Sequence, residues 1–257
     1  MIDIHTHLLP GIDDGPITWD ETMAMLKQGV DDGITGAVCT SHVLNRLDAA
    51  FEKQLTDKFQ ELKKRVEKEN INVALWLGAE IHIQSDFHLN SPLATLNNNG
   101  KYMLIELPLS EVPENATETI FQLCLDGIVP ILAHPERNGI IAQRPNWAYE
   151  FAQRGLLLQI NAGSVTGYFG KRTKRLVYQF LDQGYVHFVA SDCHNPKGRT
   201  MILSKAYKII EKKWGKQTAK RLFIENPQKA IAGQEIRTTE YEPLGEFSGF
   251  LSKFFRR

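Results

Sequence analysis

Six apolar runs of strand length in this chain each stop at a histidine or a carboxylate. Residues 1–4 lead into His5-Thr6-His7, 37–39 to His42, 73–77 to Glu80, 102–105 to Glu106, 128–133 to His134, and 186–190 to Asp192-Cys193-His194. A parallel α/β barrel gathers the C-terminal ends of its strands at one mouth, where residues remote in sequence meet. The pattern therefore predicts a single polynuclear metal site built from strand ends.

Seven runs, near 2–5, 36–40, 73–79, 102–106, 128–133, 156–160 and 186–190, alternate with helical segments. That order predicts an α/β fold with a parallel sheet, here a distorted, TIM-like barrel of fewer than eight units. Thr18 and Glu21 form a candidate capping box for a first helix with Met23, Leu26 and Val30 on one face and Gly33 as its stop. A charged helix is expected over 47–68, where Phe51, Leu55, Phe59, Leu62 and Val66 keep helical spacing. Further helices are expected at 117–126, 145–154, 171–183, 199–213 and 216–225. No linker or repeat divides the 257 residues, so one barrel domain is expected over 1–244. In the remaining tail, 245–257, Phe247, Phe250, Leu251, Phe254 and Phe255 keep near-helical spacing beside Lys253, Arg256 and Arg257. It reads as a short basic amphipathic helix that docks on its own barrel or another subunit, with peripheral membrane contact as the alternative.

Thirty basic and thirty acidic residues leave no net charge, and hence no electrostatic footprint for nucleic acid. Three cysteines are too few and odd in number for a disulfide scaffold. No stretch approaches 18 uninterrupted apolar residues, and the start lacks the basic and apolar regions of a secretion signal. A cytoplasmic protein without a transmembrane segment is the expectation. A homo-oligomer stays open.

His5 and His7 are two residues apart, so in extended backbone both imidazoles face one side. A lone histidine is more often a hydrogen-bonded core or surface residue, but five of the eight here follow predicted strands. His187 lies within a strand and reads as structural, while His82 and His88 are placed near the mouth. Glu80 and Glu106 stand in apolar surroundings where an unpaired charge is costly, and a metal or a buried ion pair would offset it. Asp13-Asp14-Gly15 has turn chemistry. Asp14 is preferred as a ligand, with Asp13 as the alternative.

Nine donors (His5, His7, Asp14, His42, Glu80, Glu106, His134, Asp192 and His194) exceed what one ion takes, which predicts two or three metals sharing bridging carboxylates. Imidazole and carboxylate without thiolate suit Mn, Fe, Zn or Co. Such sites activate water and neutralise charge on an attacked phosphate, so hydrolysis is the expected reaction. Arg137 and Arg199 follow proposed ligands closely, and their guanidinium forks match phosphate oxygens. Arg46, Lys171 and Arg172 are weaker candidates. Loops at 8–17, 81–92, 135–144 and 162–170 surround the presumed mouth and are where substrate selection is expected. A rival chemistry is written in Cys193 through Thr200, a Cys-x5-Arg-Thr pattern of the kind used by thiolate phosphatases. Cys193 lies between two metal ligands, and in extended backbone it points away from both.

Met1-Ile-Asp-Ile-His-Thr-His7, Ile12-Asp-Asp-Gly15, Thr40-Ser-His42, Gly78-Ala-Glu80, Ile105-Glu-Leu107, Ala133-His-Pro-Glu-Arg137 and Ala190-Ser-Asp-Cys-His-Asn195 together resemble the polymerase and histidinol phosphatase (PHP) superfamily. The set is most similar to the bacterial metal-dependent tyrosine-protein phosphatases of capsule and exopolysaccharide synthesis. That resemblance implies a distorted (β/α)7 barrel and a trinuclear, manganese-favouring site. It also implies phosphotyrosine substrate in the tail of a membrane-associated bacterial tyrosine kinase. By position it assigns His5, His7, Glu80 and Asp192 to one ion, Glu80, Glu106 and His134 to a second, and Asp14, His42 and His194 to a third. Arg137 and Arg199 match the phosphate-binding arginines, and Cys193 departs from the alanine common at its position. The leaving phenolate, with a pKa near 10, takes its proton from His42, Asp14 or a metal-linked water. The competing readings are a small-molecule phosphatase, such as one acting on histidinol phosphate, a phosphodiesterase, or a noncatalytic interaction scaffold.

Overall fold

Apolar runs bounded by Gly, Pro and Asn become parallel strands here because most are followed by a helix that carries the chain back, the exception being the run that ends at Leu77, whose return contains only a short 3-10 turn, Leu96–Asn98. The computed structural model describes residues 1–84, 86, 87, 90–238 and 244. The tail at 245–257 and His88 lie outside the described residues. Strands run β1 (Ile2–Thr6), β2 (Gly36–Cys39), β3 (His42–Val43), β4 (Arg46–Leu47), β5 (Ala74–Leu77), β6 (Glu80–His82), β7 (Asp86–Phe87), β8 (Tyr102–Glu106), β9 (Val129–Ala133), β10 (Leu157–Asn161) and β11 (Val186–Ala190).

All their pairings are parallel, in the orders β1-β2-β5 and β11-β10-β9-β8-β6-β3, with β4-β7 as a separate ladder. β2 and β3 are halves of one interrupted strand, as are β5 and β6. Hydrogen bonds from Gly78 N to Cys39 O (3.0 Å) and from Glu80 N to Ser41 O (3.1 Å) carry the ladder across both gaps. The interruption arises at Thr40, which turns back to β1: its N–H donates to Thr6 O at 2.8 Å and its Oγ1 accepts from Thr6 N–H at 3.0 Å. β1 and β11 then close a ring of seven strands through His7 N to Cys193 O and Asp192 N to His5 O, both 3.0 Å.

The helices are α1 (Trp19–Asp31), α2 (Ala49–Lys68), α3 (Ala116–Leu125), α4 (Gly139–Gln143), α5 (Asn146–Gln153), α6 (Ala162–Thr166), α7 (Lys171–Asp182), α8 (Ser204–Trp214), α9 (Lys216–Lys220) and α10 (Asn226–Ile231). Thr18 and Glu21 form the reciprocal capping box at the start of α1. Leu55, Phe59, Leu62 and Val66 form the buried stripe of α2. The helix expected over 199–213 starts only at Ser204. Arg199 O is already bound by the N–H groups of His194 and Asn195, and the Asp32 carboxylate caps the new start through Leu203 N (2.6 Å) and Ser204 N (2.7 Å). The one expected over 216–225 continues from α9 as a π-turn, Arg221–Glu225. No helix among the described residues is long and apolar enough to cross a membrane.

Strand alternation sorts the apolar residues into two layers. Leu104, Ile131, Leu157 and Phe188 pack inside the ring, while Met103, Ile105, Leu132, Leu158 and Val189 face the helices. The strand N-terminal end is closed by α10, whose Ala230 and Ile231 join the inner cluster. Tyr102, the first residue of β8, donates its hydroxyl to Gln234 O at 2.7 Å just beyond that helix. The C-terminal end is left for polar residues.

Candidate metal centre

The donors cluster at the C-terminal ends of the strands and at the restarts of the two interrupted ones. His5 lies in β1 and His7 just past it, β3 begins with His42, β6 begins with Glu80, β8 ends with Glu106, His134 follows β9, and Asp192 and His194 lie beyond β11. All are buried except His42, which is partly exposed. Asp14, from the loop after β1, is 65% exposed at the rim.

Glu80 is the hub. Its Oε2 lies 3.0 Å from His5 Nε2, 3.3 Å from His7 Nε2 and 3.0 Å from His42 Nδ1, and its Oε1 lies 3.0 Å from His134 Nε2. Ligand atoms fall within 4.8 Å of one another in three sets: His5, His7 and Glu80; His42, Glu80 and Glu106; and His7, Asp14, His42 and His194. Asp192 Oδ1 adjoins the first set, 3.5 Å from His5 Nε2 and 3.6 Å from His7 Nε2. His42 turns Nδ1 to Glu80 and Glu106 as well as Nε2 to Asp14, so it adjoins two of the three expected groups. His134 Nε2 lies 3.0 Å from Glu80 and 3.9 Å from Glu106, the two carboxylates with which the resemblance groups it.

The donor set fits cations on its own geometry. His5 Nδ1–H donates to Gln159 Oε1 and His7 Nδ1–H to Asp13 Oδ2, each at 2.8 Å. With those protons placed, the two Nε2 lone pairs face each other across 3.2 Å, which is repulsive unless a cation or proton lies between them. Glu80 Oε2, His42 Nδ1 and His194 Nε2 are likewise buried without a well-formed hydrogen bond, and the atoms nearest them belong to other candidate ligands. Nitrogen and oxygen donors without sulfur suit Mn, Fe, Zn or Co.

Charge compensation is mutual within the cluster. Burial by itself lowers an imidazole pKa, but the Glu80 and Asp192 carboxylates outweigh it at His5 and raise that group to about 9. Burial pushes the Glu80 and Asp192 carboxyls up, yet His5 and its neighbours hold both well below the usual range. At His194 burial, reinforced by His7, lowers the pKa to about 3. Two ligand positions also carry backbone strain: His134 has φ 31° and Asp192 φ 53°, in the left-handed region. Each costs on the order of 1 kcal/mol.

Arg137 and Arg199 converge on Asp192, Arg137 Nη1 at 2.9 Å from Oδ2 and Arg199 Nη2 in close contact with Oδ1. Arg199 Nη1 is also 3.9 Å from Asp14 Oδ2. Arg172 is engaged elsewhere, donating to Ala142 O at 3.2 Å. Cys193 is fully buried, packs in the outer apolar cluster, and burial pushes its thiol well up, so it offers no thiolate.

The positioning residues were harder to read from sequence. Asp13, the alternative ligand, accepts from both His7 Nδ1–H and the His42 backbone N–H, and so orients the His7 imidazole and anchors the start of β3. Gln159 and Asn161 lie within a strand and carry no strand-end signal. Gln159 Nε2 donates to Asn161 Oδ1 at 2.9 Å, and Asn161 Nδ2 donates to Asp192 Oδ2 at 2.7 Å, linking His5 to Asp192 through β10. Their signal was two amides at alternate positions of an otherwise apolar strand, the same spacing that marks His5 and His7.

Known proteins match this chain along nearly its whole length. The tyrosine-protein phosphatase YwqE of Bacillus subtilis is 34% identical over 247 residues, covering 95% of this chain and 96% of YwqE. The tyrosine-protein phosphatase CpsB of Streptococcus agalactiae is 32% identical over 243 residues, covering 92% of this chain and all of CpsB. Among solved structures, a chain from the study of YwqE and Streptococcus pneumoniae CpsB, described as unique metal-dependent tyrosine phosphatases, superposes with a TM-score of 0.86. It is 32% identical and covers 96% of this chain and 100% of its own. The family described as capsular polysaccharide synthesis, CpsB/CapC, matches residues 1–232, and the strand-end cluster with its two arginines lies wholly inside that match: the chain belongs to the CpsB/CapC family.

Proposed function

We propose that this chain is a metal-dependent protein-tyrosine phosphatase that hydrolyses phosphotyrosine monoesters. The observation that carries the reading is the set of buried, unpartnered ligand atoms around Glu80, beside two guanidinium groups, in a chain matched along nearly its full length by named tyrosine phosphatases. His5, His7, Asp14, His42, Glu80, Glu106, His134, Asp192 and His194 would hold two or three ions, manganese first among Mn, Fe, Zn and Co. Bound there, such ions supply Lewis-acid charge to the phosphoryl group and activate water for attack at neutral pH.

The chain's own residues do the rest. Arg137 and Arg199 grip the phosphate oxygens and stabilise the charge that builds as the phosphorus is attacked. Asp14 and His42 are the members of the cluster open to solvent, and so the ones able to pass a proton to the departing phenolate oxygen. Gln159, Asn161 and Asp13 keep the buried donors oriented while this happens. The physiological substrate in this reading is the tyrosine-phosphorylated tail of a membrane-associated bacterial kinase that controls capsule or exopolysaccharide synthesis, met in the cytoplasm.

Chelation should abolish turnover of a phosphotyrosine peptide, and added Mn should restore it. Cys193→Ser should retain that activity. Metal-independent turnover lost in Cys193→Ser would reverse the assignment, and preference for histidinol phosphate over the peptide would make the enzyme a small-molecule phosphatase. Absence of any metal-dependent turnover would leave a noncatalytic scaffold.

A further inference from the structure

Beyond the arginines the mouth holds an aromatic pair with no role so far. The turn after α6 presents Tyr168 and Phe169 between two left-handed glycines, Gly167 (φ 96°) and Gly170 (φ 94°). It is pinned by Gly167 N and Tyr168 N, which both donate to Gly163 O, at 3.0 and 2.8 Å. The Arg137 guanidinium lies over the Phe169 ring, 4.8 Å from its centroid. That ring is seated against Gly163 so closely that a Cβ there would come within 2.9 Å of it.

Tyr168 stands edge-on to Phe169, with centroids 5.0 Å apart, and is 62% exposed. Its hydroxyl lies beside Gly198, where an added Cβ would be 3.7 Å away, and Gly198 precedes Arg199. Tyr168, Phe169, Gly198 and Arg199 line one cavity of about 160 Å³. The aromatic pair therefore reaches from Arg137 to the segment that carries Arg199. A soluble protein gains little from an exposed tyrosine ring held in a rigid turn beside two cations, unless something apolar and anionic at once lies against it.

We propose that Tyr168 is the platform for the aryl ring of the substrate, selecting aryl over alkyl phosphates, and that Phe169 is a positioning residue that holds Arg137 flat for the phosphate. This rests on the phosphatase reading above and adds the element of the site that recognises the ring. A phosphate held by Arg137 and Arg199 carries its ester substituent into the adjoining cavity, where a planar ring meets an aromatic face. A short alkyl group leaves that face uncovered. Phe169 contributes through the cation–π contact with Arg137, so it acts on every phosphate ester alike.

The test is competitive inhibition of metal-replete enzyme by phenylphosphonate and methylphosphonate, with phosphotyrosine peptide as substrate. Wild type should bind phenylphosphonate the more tightly. Tyr168→Ala should cut the ratio of the two inhibition constants about fivefold while leaving methylphosphonate binding unchanged, and Tyr168→Phe should keep the ratio. Phe169→Leu should weaken both phosphonates by the same factor, since it acts through Arg137. An unchanged ratio in Tyr168→Ala, in enzyme whose wild type hydrolyses the peptide, overturns the platform and leaves the phosphatase reading intact. Undiminished methylphosphonate binding in Phe169→Leu removes its positioning role. A wild type that hydrolyses no phosphotyrosine peptide after metal is restored overturns both readings together.

Discussion

At the N-terminal end of the barrel, Leu104, Ile131, Leu157 and Phe188 fill the ring and α10 closes it, so these side chains find their packing partners within the chain. At the C-terminal end the same strands hold imidazoles and carboxylates in equal burial, and several of their atoms have no hydrogen-bond partner. The first region is complete with the chain alone. The second becomes complete only with added positive charge, which separates the residues that make the fold stable from those that make it useful. Histidine shows the contrast within one residue type. His5 at the mouth is raised to about 9 despite burial, because carboxylates surround it, whereas His187 on β11 is lowered to about 4 by burial and then by Arg221.

The contrast breaks if either end behaves like the other. Wild type should gain Tm on addition of Mn, and Glu80→Gln should abolish that gain and reduce kcat by about 10³-fold or more, because the hub carboxylate is removed. Phe188→Ala should do the reverse, lowering unfolding free energy by about 4 kcal/mol in urea titrations while kcat at a permissive temperature stays near wild type. A Phe188→Ala enzyme with impaired chemistry would mean that the two ends are coupled.

The smallest effect is in acid. His187 Nδ1 accepts the Leu158 N–H at 3.2 Å, so the folded protein holds this imidazole neutral. Its folded pKa lies below the unfolded value of about 6.5, so the unfolded chain takes up the proton first as pH falls. Stability from this group is therefore full above about pH 6.5 and drains away between there and about pH 4. His5, shifted the other way, contributes in the opposite sense, stabilising in acid and fading as pH rises through 9. Between pH 7 and pH 5, metal-free His187→Gln should lose about 2 kcal/mol less unfolding free energy than wild type. Equal losses would show that His187 is not held neutral.

The donors were legible from sequence because the strand-end rule depends only on where an apolar run stops. The capping box at Thr18 and Glu21 was legible because its partners are three residues apart. What failed to show was anything closed over distance. The cap on α8 comes from Asp32 in another helical unit, so the start of that helix could not be placed from its own residues. Asp13 and Asp14 are adjacent and chemically alike, and only the packing of His7 and His42 decides which one orients and which faces the rim. Tyr168 and Phe169 read as ordinary loop residues because their relation to Arg137 and Arg199 exists only in three dimensions.

The closure between β1 and β11 brings His5 and His7 against Asp192 and His194, donors from the first strand and the last. A chain still emerging from the ribosome possesses the first pair long before the second. Until the final strand arrives and zips against Thr6, there is only half a site, unable to gather the full donor set. If these donors hold the metal as proposed, its capture is tied to completed synthesis, and a truncated or stalled product would not act as a partly working enzyme.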